Sequence, residues 1–139
     1  MSESKNKKNI TVRHLCGYRF LGSNDKGDSI IMDADNPKTS LAPMELLLSA
    51  LGGCTAYDVI SIMKKKRKPL TDYRIEIEGE RADTYPKKYT KIKLIHYGKG
   101  ENITQKAFYS AVKLSHEKYC SISANLNAEI EYEAIIENE

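Results

Sequence analysis

Residues 43–69 constrain the fold most strongly, because they are the most apolar stretch of an otherwise polar chain. Pro43 suits the first turn of a helix, where its missing N–H group costs nothing, and Glu45 places a negative charge at the positive end of the helix dipole. Apolar residues then fall on nearly every face from Leu46 to Met63. This pattern predicts a long helix that is buried on all sides and ends in a solvated basic run.

Polar residues interrupt this helix, so we do not interpret it as a membrane span. Its apolar length is near the lower limit for a span, but Ser49, Asp58 and Ser61 would place polar and ionisable groups in lipid. Gly52 and Gly53 each weaken a helix interior by about 1 kcal/mol relative to alanine. We therefore expect another backbone, such as a second copy of the same helix, to approach closely at this point.

The composition is typical of an intracellular globular protein. The 139 residues are 40% hydrophobic and 29% charged, and the net charge of +3 does not by itself indicate a nucleic-acid partner. The polar start has no apolar core like that of a signal peptide, so we expect a cytoplasmic protein with residues 1–9 disordered. No cysteine and histidine spacing typical of zinc appears, and we expect neither a metal nor another cofactor.

Hydrophobic patterning predicts one α+β domain over residues 1–139, with the element order β-β-β-α-β-β-α-β. The sheets are expected to be antiparallel and to wrap the buried central helix. The predicted strands cover residues 10–16, 18–21, 29–33, 73–80, 91–94 and 128–137, and the second helix covers residues 103–119.

Three cysteines, Cys16, Cys54 and Cys120, form an odd number without paired spacing. In a reducing compartment a cysteine is more often catalytic, redox-active or simply buried than part of a structural disulfide. A cysteine in the middle of an apolar helix, such as Cys54, is most often a small core residue. Two thiols, each beside a helix in a chain without metal spacing, favour a redox role for Cys54 and Cys120. Cys16 is interpreted as a core residue of a strand.

Two segments carry a resemblance to a known family: PMELLLSALGGCTAYDVISIM on the central helix and LSHEKYCSISANL later in the chain. Together they resemble the OsmC/Ohr family of thiol-dependent peroxidases, in its YhfA-like branch, and the resemblance extends over nearly the whole chain. It implies an intertwined homodimer whose two sheets enclose the long central helices, with the active site at the dimer interface. It also implies that Cys54 is the peroxidatic cysteine and Cys120 the resolving one.

This chemistry needs a cation near the peroxidatic sulfur, because only a thiolate attacks peroxide and apolar surroundings disfavour the thiolate. The resemblance implies an arginine from the N-terminal region, held by a glutamate near the start of the central helix. The position of that glutamate falls at Met44, and the nearest acid is its neighbour Glu45. The loop over residues 22–27, where the arginine commonly lies, has none. Arg19 is therefore the first candidate, ahead of Arg13.

Asp58 lies one helical turn after the peroxidatic cysteine, on the same face, and two interpretations of it stay open. Either it holds an activating cation in place, or it pairs with a basic residue at the dimer interface. The histidines His14, His96 and His116 are interpreted as ordinary surface or strand residues. His116 precedes Cys120 by four positions and could influence the resolving sulfur as a leaving group.

The leading hypothesis is a cytoplasmic thiol peroxidase, an antioxidant oxidoreductase of the oxidative stress response, that reduces hydroperoxides and prefers organic ones. Its expected partners are a second copy of itself, the hydroperoxide and an unidentified dithiol reductant, with neither nucleic acid nor membrane. The alternative is a non-catalytic module of the same fold that binds a small hydrophobic ligand at the dimer interface. The absence of an arginine and a glutamate at the family positions favours this alternative.

Overall fold

The computed structural model describes residues 6–137, and its order of strands and α-helices confirms the predicted β-β-β-α-β-β-α-β. The expected disorder of residues 1–9 falls largely on residues 1–5, which lie outside the described residues. Residues 6–9 are exposed chain ahead of the first strand. The strands are β1 (Ile10–Cys16), β2 (Arg19–Asn24), β3 (Ser29–Asp33), β4 (Asp72–Arg81), β5 (Tyr89–Lys99) and β6 (Glu129–Ile136). The helices are α1 (Pro43–Lys65) and α2 (Gln105–Leu114), with a π turn at Ser115–Tyr119 and a 3-10 turn at Ser123–Asn125.

The chain divides into two compact units, a first unit over Met1–Leu47 and a second unit over Leu48–Glu139. The expectation of one domain over residues 1–139 stays a prediction. In the first unit β1, β2 and β3 form an antiparallel sheet in that order. Every residue of β1 is exposed, because this strand lies at the edge of the sheet. The interpretation of Cys16 as a core residue is therefore wrong.

The sheet of the second unit has the order β4-β5-β6 and is mixed. β4 pairs with β5 antiparallel, with Glu78 opposite Lys93, whereas β5 pairs with β6 parallel, with Ile92 opposite Ile130. The prediction of antiparallel sheets is therefore wrong for β6. The reason is that α2 lies between β5 and β6 in the chain, and a helical crossover returns the next strand in the same direction.

The core of the second unit joins α1, α2 and β6. Its buried members include Val59 and Met63 of α1, Phe108 and Val112 of α2, and Ala134 of β6. The remaining residues of this cluster are Ile103 and Ala111.

In the single chain α1 is buried along one face rather than on all sides, so that expectation is not met. The fully buried positions of α1 are Leu51, Gly52, Thr55, Val59 and Met63. A Cβ atom at Gly52 would lie 2.6 Å from Cδ1 of Ile77, so a side chain of β4 approaches closely there, and not the expected backbone. Among the helices of the described residues, α1 alone has the length and composition of a membrane span, a test that the core helix of a soluble protein also passes.

Candidate functional site

The thiols of Cys54 and Cys120 lie within the second unit, close enough for Cys54 to raise the pKa of Cys120. Cys54 lies in the middle of α1 and is half-buried, whereas Cys120 directly follows the π turn and is 5% exposed. Burial raises the pKa of the Cys120 thiol, as does the contact with Cys54, against the hydrogen bonds that Ser123 contributes. The two sulfurs that the sequence singled out thus lie close to each other.

A π turn brings Cys120 to this position. The helix predicted over residues 103–119 begins at Gln105, after its N-cap Thr104, and loses its α-helical form after Leu114. The N–H of Cys120 donates to the carbonyl of Ser115 across 2.9 Å, which closes the wider turn. Such turns insert one extra residue into a helix and are frequent at functional sites. Sequence periodicity carried no signal for this turn.

Buried hydroxyl groups connect the π turn to α1. The hydroxyls of Ser115 and Thr55 lie 2.7 Å apart, and the Ser115 hydroxyl lies 3.1 Å from the carbonyl oxygen of Thr55. The same hydroxyl is 3.2 Å from a carboxylate oxygen of Asp58, which it approaches as a donor. Asp58 therefore accepts a hydrogen bond from Ser115 in this chain. Neither of the two interpretations offered from the sequence included this interaction.

Two histidines form a buried pair behind these hydroxyls. His96 Nε2 lies 2.9 Å from His116 Nε2, and His96 Nδ1 lies 2.6 Å from the hydroxyl of Tyr73. His116 Nε2 is also 3.4 Å from the hydroxyl of Thr55. When Tyr73 donates to His96, the proton of His96 lies on Nε2 and donates to His116, whose own proton is then on Nδ1. His116 Nδ1 is buried and has no hydrogen-bond partner among the described residues.

Both histidines are held in the neutral form. Burial lowers the pKa of His96 to about 3, with a further contribution from His116. Burial also lowers the pKa of His116 to about 4, and its ring stacks on Tyr132 with 4.6 Å between ring centroids. His96 is a strand residue, as expected, but neither histidine is an ordinary one, because their rings are hydrogen-bonded to each other away from solvent. A usable signal existed, because His96 continues the inward alternation of Ile92 and Leu94 along β5.

A cavity of about 430 Å³ opens beside the buried thiol. Tyr132, on one wall of it, donates a hydrogen bond of 2.6 Å to Glu117. The cavity brings a polar surface, including the cation of Lys118, next to Cys120. Its lining residues are His116, Glu117, Lys118, Cys120, Ser123, Ala124, Ala128, Ile130 and Tyr132.

Arg19, the candidate cation, lies in the first unit and is held there by acidic partners. Its Nε donates to Asp33 across 3.1 Å, its Nη2 donates to the carbonyl of Pro37 across 3.1 Å, and its Nη1 lies 3.6 Å from Asp35. The pKa of Asp33 is held well below its ordinary value, first by the N–H of Thr39 and then by the N–H of Asp35, the Thr39 hydroxyl and Arg19.

Glu45, the candidate glutamate, caps the start of α1. Its carboxylate accepts a hydrogen bond of 2.9 Å from the N–H of Ala42, the residue before the helix, and forms an ion pair with Lys38. These two contacts, Lys38 first, lower the pKa of Glu45. Reaching back from the third helical position to the N-cap is a common way to satisfy a free N–H group. Arg19 and Glu45 thus have different partners in this chain.

No group of three or more His, Cys, Asp and Glu side chains among residues 6–137 is arranged to hold a metal ion.

Comparisons with known proteins identify the family. The family model described as "OsmC-like protein" matches residues 35–134. Protein YhfA of Escherichia coli strain K12 is 37% identical over 115 residues, which cover 83% of this chain and 86% of that protein. The chain belongs to the OsmC-like family.

Solved structures agree with this assignment. This OsmC-like chain is 32% identical to a hypothetical protein from Aquifex aeolicus VF5, with a TM-score of 0.86 over 96% of this chain and 98% of that one. The organic hydroperoxide resistance protein OhrB of Bacillus subtilis has a TM-score of 0.63 over 96% of this chain and 100% of its own, at 14% identity, which shows the fold alone. The predicted family and its α+β fold are confirmed.

Proposed function

We propose that this protein is a cysteine-based peroxidase that reduces hydroperoxides, with Cys54 as the attacking thiol and Cys120 as the resolving thiol. The closeness of the two thiols carries the proposal. Cys54 is the more accessible of the pair, whereas Cys120 is buried with a raised pKa and so keeps its proton until it is needed. The accessible sulfur of Cys54 can meet the substrate, whereas the buried sulfur of Cys120 is needed only in the second step.

The reaction balances with the groups at hand. The Cys54 thiol gives up its proton and its sulfur attacks one peroxide oxygen, which breaks the O–O bond and makes Cys54 a sulfenic acid. The other oxygen takes up that proton and leaves as the alcohol. The Cys120 thiol then displaces water from the sulfenic acid, which yields a disulfide. A dithiol of unidentified nature returns two electrons and two protons. Organic hydroperoxides are the proposed substrates, with Arg19 and Glu45 as the proposed cation and its glutamate on the strength of the family resemblance.

A second candidate function is a non-catalytic module that binds a small hydrophobic ligand. The separate partners of Arg19 and Glu45 favour it, because neither residue holds the other as the peroxidase pattern requires. A cavity of about 460 Å³ beside α1 supplies a partly apolar surface for such a ligand. It is lined by Tyr57, Asp58, Ser61, Ile62, Lys65, Lys66, Leu114 and Tyr119.

We also propose that the protein is a cytoplasmic homodimer. In the single chain Tyr57 is 74% exposed on α1 and Tyr119 is 48% exposed on the π turn, and a second copy would cover such side chains. An obligate interface of this kind buries more than about 2,000 Å² in total. Sedimentation at micromolar concentration is expected to show a dimer, and a stable monomer would contradict it.

Intact mass and turnover after addition of one equivalent of an organic hydroperoxide test the peroxidase. A loss of two mass units, mapped to a Cys54–Cys120 bridge, is expected in the parent and in the control variant Cys16→Ser. Cys54→Ser is expected to consume no peroxide, whereas Cys120→Ser completes one turnover and then stalls or over-oxidises. An unchanged mass in the parent would support the binding module, and equal activity in both variants would overturn the assigned roles.

A further inference from the structure

We propose that Thr55 and Ser115 form a positioning pair that sets how readily Cys54 and Cys120 join. The inference rests on the proposed function, because these two residues act through the thiols and do not themselves touch a hydroperoxide. Neither residue stood out in the sequence, where a serine and a threonine on helices carry no distinctive pattern. Their contacts in the structure assign them this role.

Ser115 links the two cysteines through its main chain and its side chain. Its carbonyl accepts the N–H of Cys120 across 2.9 Å, so the position of Ser115 fixes the backbone of the resolving cysteine. Its hydroxyl lies 2.7 Å from the hydroxyl and 3.1 Å from the carbonyl oxygen of Thr55, the residue directly after Cys54. Any slide of the π turn along α1 must therefore break these contacts before the two sulfurs can separate.

The hydrogen bonds of the pair are directional. Thr55 and Ser115 are both fully buried, so water does not replace a lost partner. When the Thr55 hydroxyl donates to Ser115, the single proton of Ser115 is shared between Asp58, at 3.2 Å, and the carbonyl of Thr55. The carboxylate of Asp58 accepts only, and it thereby orients the whole chain of donors. This gives Asp58 a task that does not require a cation.

Such a pair affects disulfide chemistry more than overall folding. A disulfide forms only in a narrow range of separations and dihedral angles, so its formation depends on how closely the two thiols are held to that geometry. A contact that is merely structural stabilises the oxidised and reduced proteins alike. A positioning contact changes the equilibrium between them, which is a separate measurement.

Equilibration with glutathione measures that equilibrium without any hydroperoxide. In a Cys16→Ser background, the two thiols pass two electrons and two protons to glutathione disulfide, which leaves as two glutathione thiols. Trapping the remaining thiols gives the effective concentration of one cysteine at the other. We expect Ser115→Ala to lower this effective concentration by about tenfold, the usual size of one buried hydrogen bond.

Two substitutions at Thr55 separate the hydroxyl from the shape of the side chain. Thr55→Val keeps the shape and loses the hydroxyl, and we expect the same loss of about tenfold. Thr55→Ser keeps the hydroxyl and is expected to stay within about twofold of the parent. The comparison of these two variants tests the positioning role even if Ser115→Ala fails to fold.

Thr104→Ala is the matched control, because it removes the N-cap hydrogen bond of α2 to the N–H of Ala107 at 3.1 Å, away from the thiols. It should lower the melting temperature and leave the effective concentration unchanged. An effective concentration within twofold of the parent in Ser115→Ala, or an equal fall in Thr104→Ala, would overturn the positioning role. A parent that ignores hydroperoxides while Ser115→Ala still shows the tenfold fall would overturn the peroxidase alone.

Discussion

Each of the two units has a fully buried ionisable side chain, and these two side chains differ in charge. In the first unit Asp33 is fully buried yet charged, because two N–H groups, the Thr39 hydroxyl and Arg19 all donate to it. In the second unit His96 is equally buried and neutral, because its partners are a phenol and another histidine. Burial alone therefore does not decide the charge of a side chain, and the donors and acceptors around it do.

The difference places the acid sensitivity of the two units in separate pH ranges. The pKa of His96 falls from 6.5 to about 3 on folding, so its contribution to stability is complete above 6.5 and is lost as the pH falls towards 3. The pKa of Asp33 is also lowered on folding, from 3.8, so its contribution is complete above 3.8 and is lost only below that value. The histidines therefore respond first.

The largest expected effect is a loss of stability in mild acid. Between about pH 6 and pH 4.5 the free energy of unfolding is expected to fall by roughly 1.4 kcal/mol per pH unit for His96, with a smaller share from the half-buried His116. The reason is that the unfolded chain binds protons that the folded core rejects. Urea unfolding at a series of pH values measures the slope.

Two variants sharpen this measurement. His96→Gln removes the titrating group from the core and is expected to flatten the slope, whereas His14→Gln changes an exposed residue of β1 and is expected to leave it alone. An identical slope in His96→Gln and the parent would show that the buried histidine pair does not govern the response to acid.

The sequence was sufficient for those parts of the molecule that depend on local pattern. The long apolar run gave α1, period-two alternation gave β4 and β6, and the segments around Cys54 and Cys120 gave two thiols that do meet. Each of these signals is contained in one short window of residues. The parallel pairing of β6 was missed, because no window shows which edge of a sheet a strand joins.

The environment of the thiols was less predictable. His96 occupies an inward position of β5, but alternation alone does not reveal that its partner is His116, twenty positions later and on another element. Thr55 and Ser115 are polar residues within predicted helices, and the sequence alone presents them as interruptions of the apolar pattern. Only the structure shows that both are buried and hydrogen-bonded to each other. Such pairs depend on tertiary contacts, which single-window patterns do not encode.

A smaller effect tests whether the cation of the first unit serves a thiol. Arg19→Met is expected to slow the alkylation of Cys54 by iodoacetamide by about tenfold near neutral pH, because a guanidinium keeps its charge and favours the thiolate. Arg13→Met is the control and should change little. Equal rates in the two variants would mean that Arg19 only balances the charge of Asp33 and does not favour the Cys54 thiolate. The binding module would then be the better interpretation.

The smallest effect concerns the outer end of the histidine pair. Tyr73→Phe removes the hydroxyl that is hydrogen-bonded to His96 Nδ1 at 2.6 Å and is expected to reduce the free energy of unfolding by about 1 kcal/mol at neutral pH. Tyr97→Phe is the control, because Tyr97 follows His96 on the opposite face of β5 and is only half-buried. If both variants lose the same amount, the bond to His96 adds nothing beyond the effect of removing any tyrosine hydroxyl.

The parallel pairing of β5 and β6 makes the position of the Cys120 sulfur depend on residues that follow it in the sequence. Cys120 lies in the crossover between these strands, and α2 in that crossover packs its core against Ala134 of β6. A substitution that loosens β6 is therefore expected to shift α2 and the π turn that follows it. It would thereby disturb the contact between Cys120 and Cys54, although β6 itself contains no cysteine.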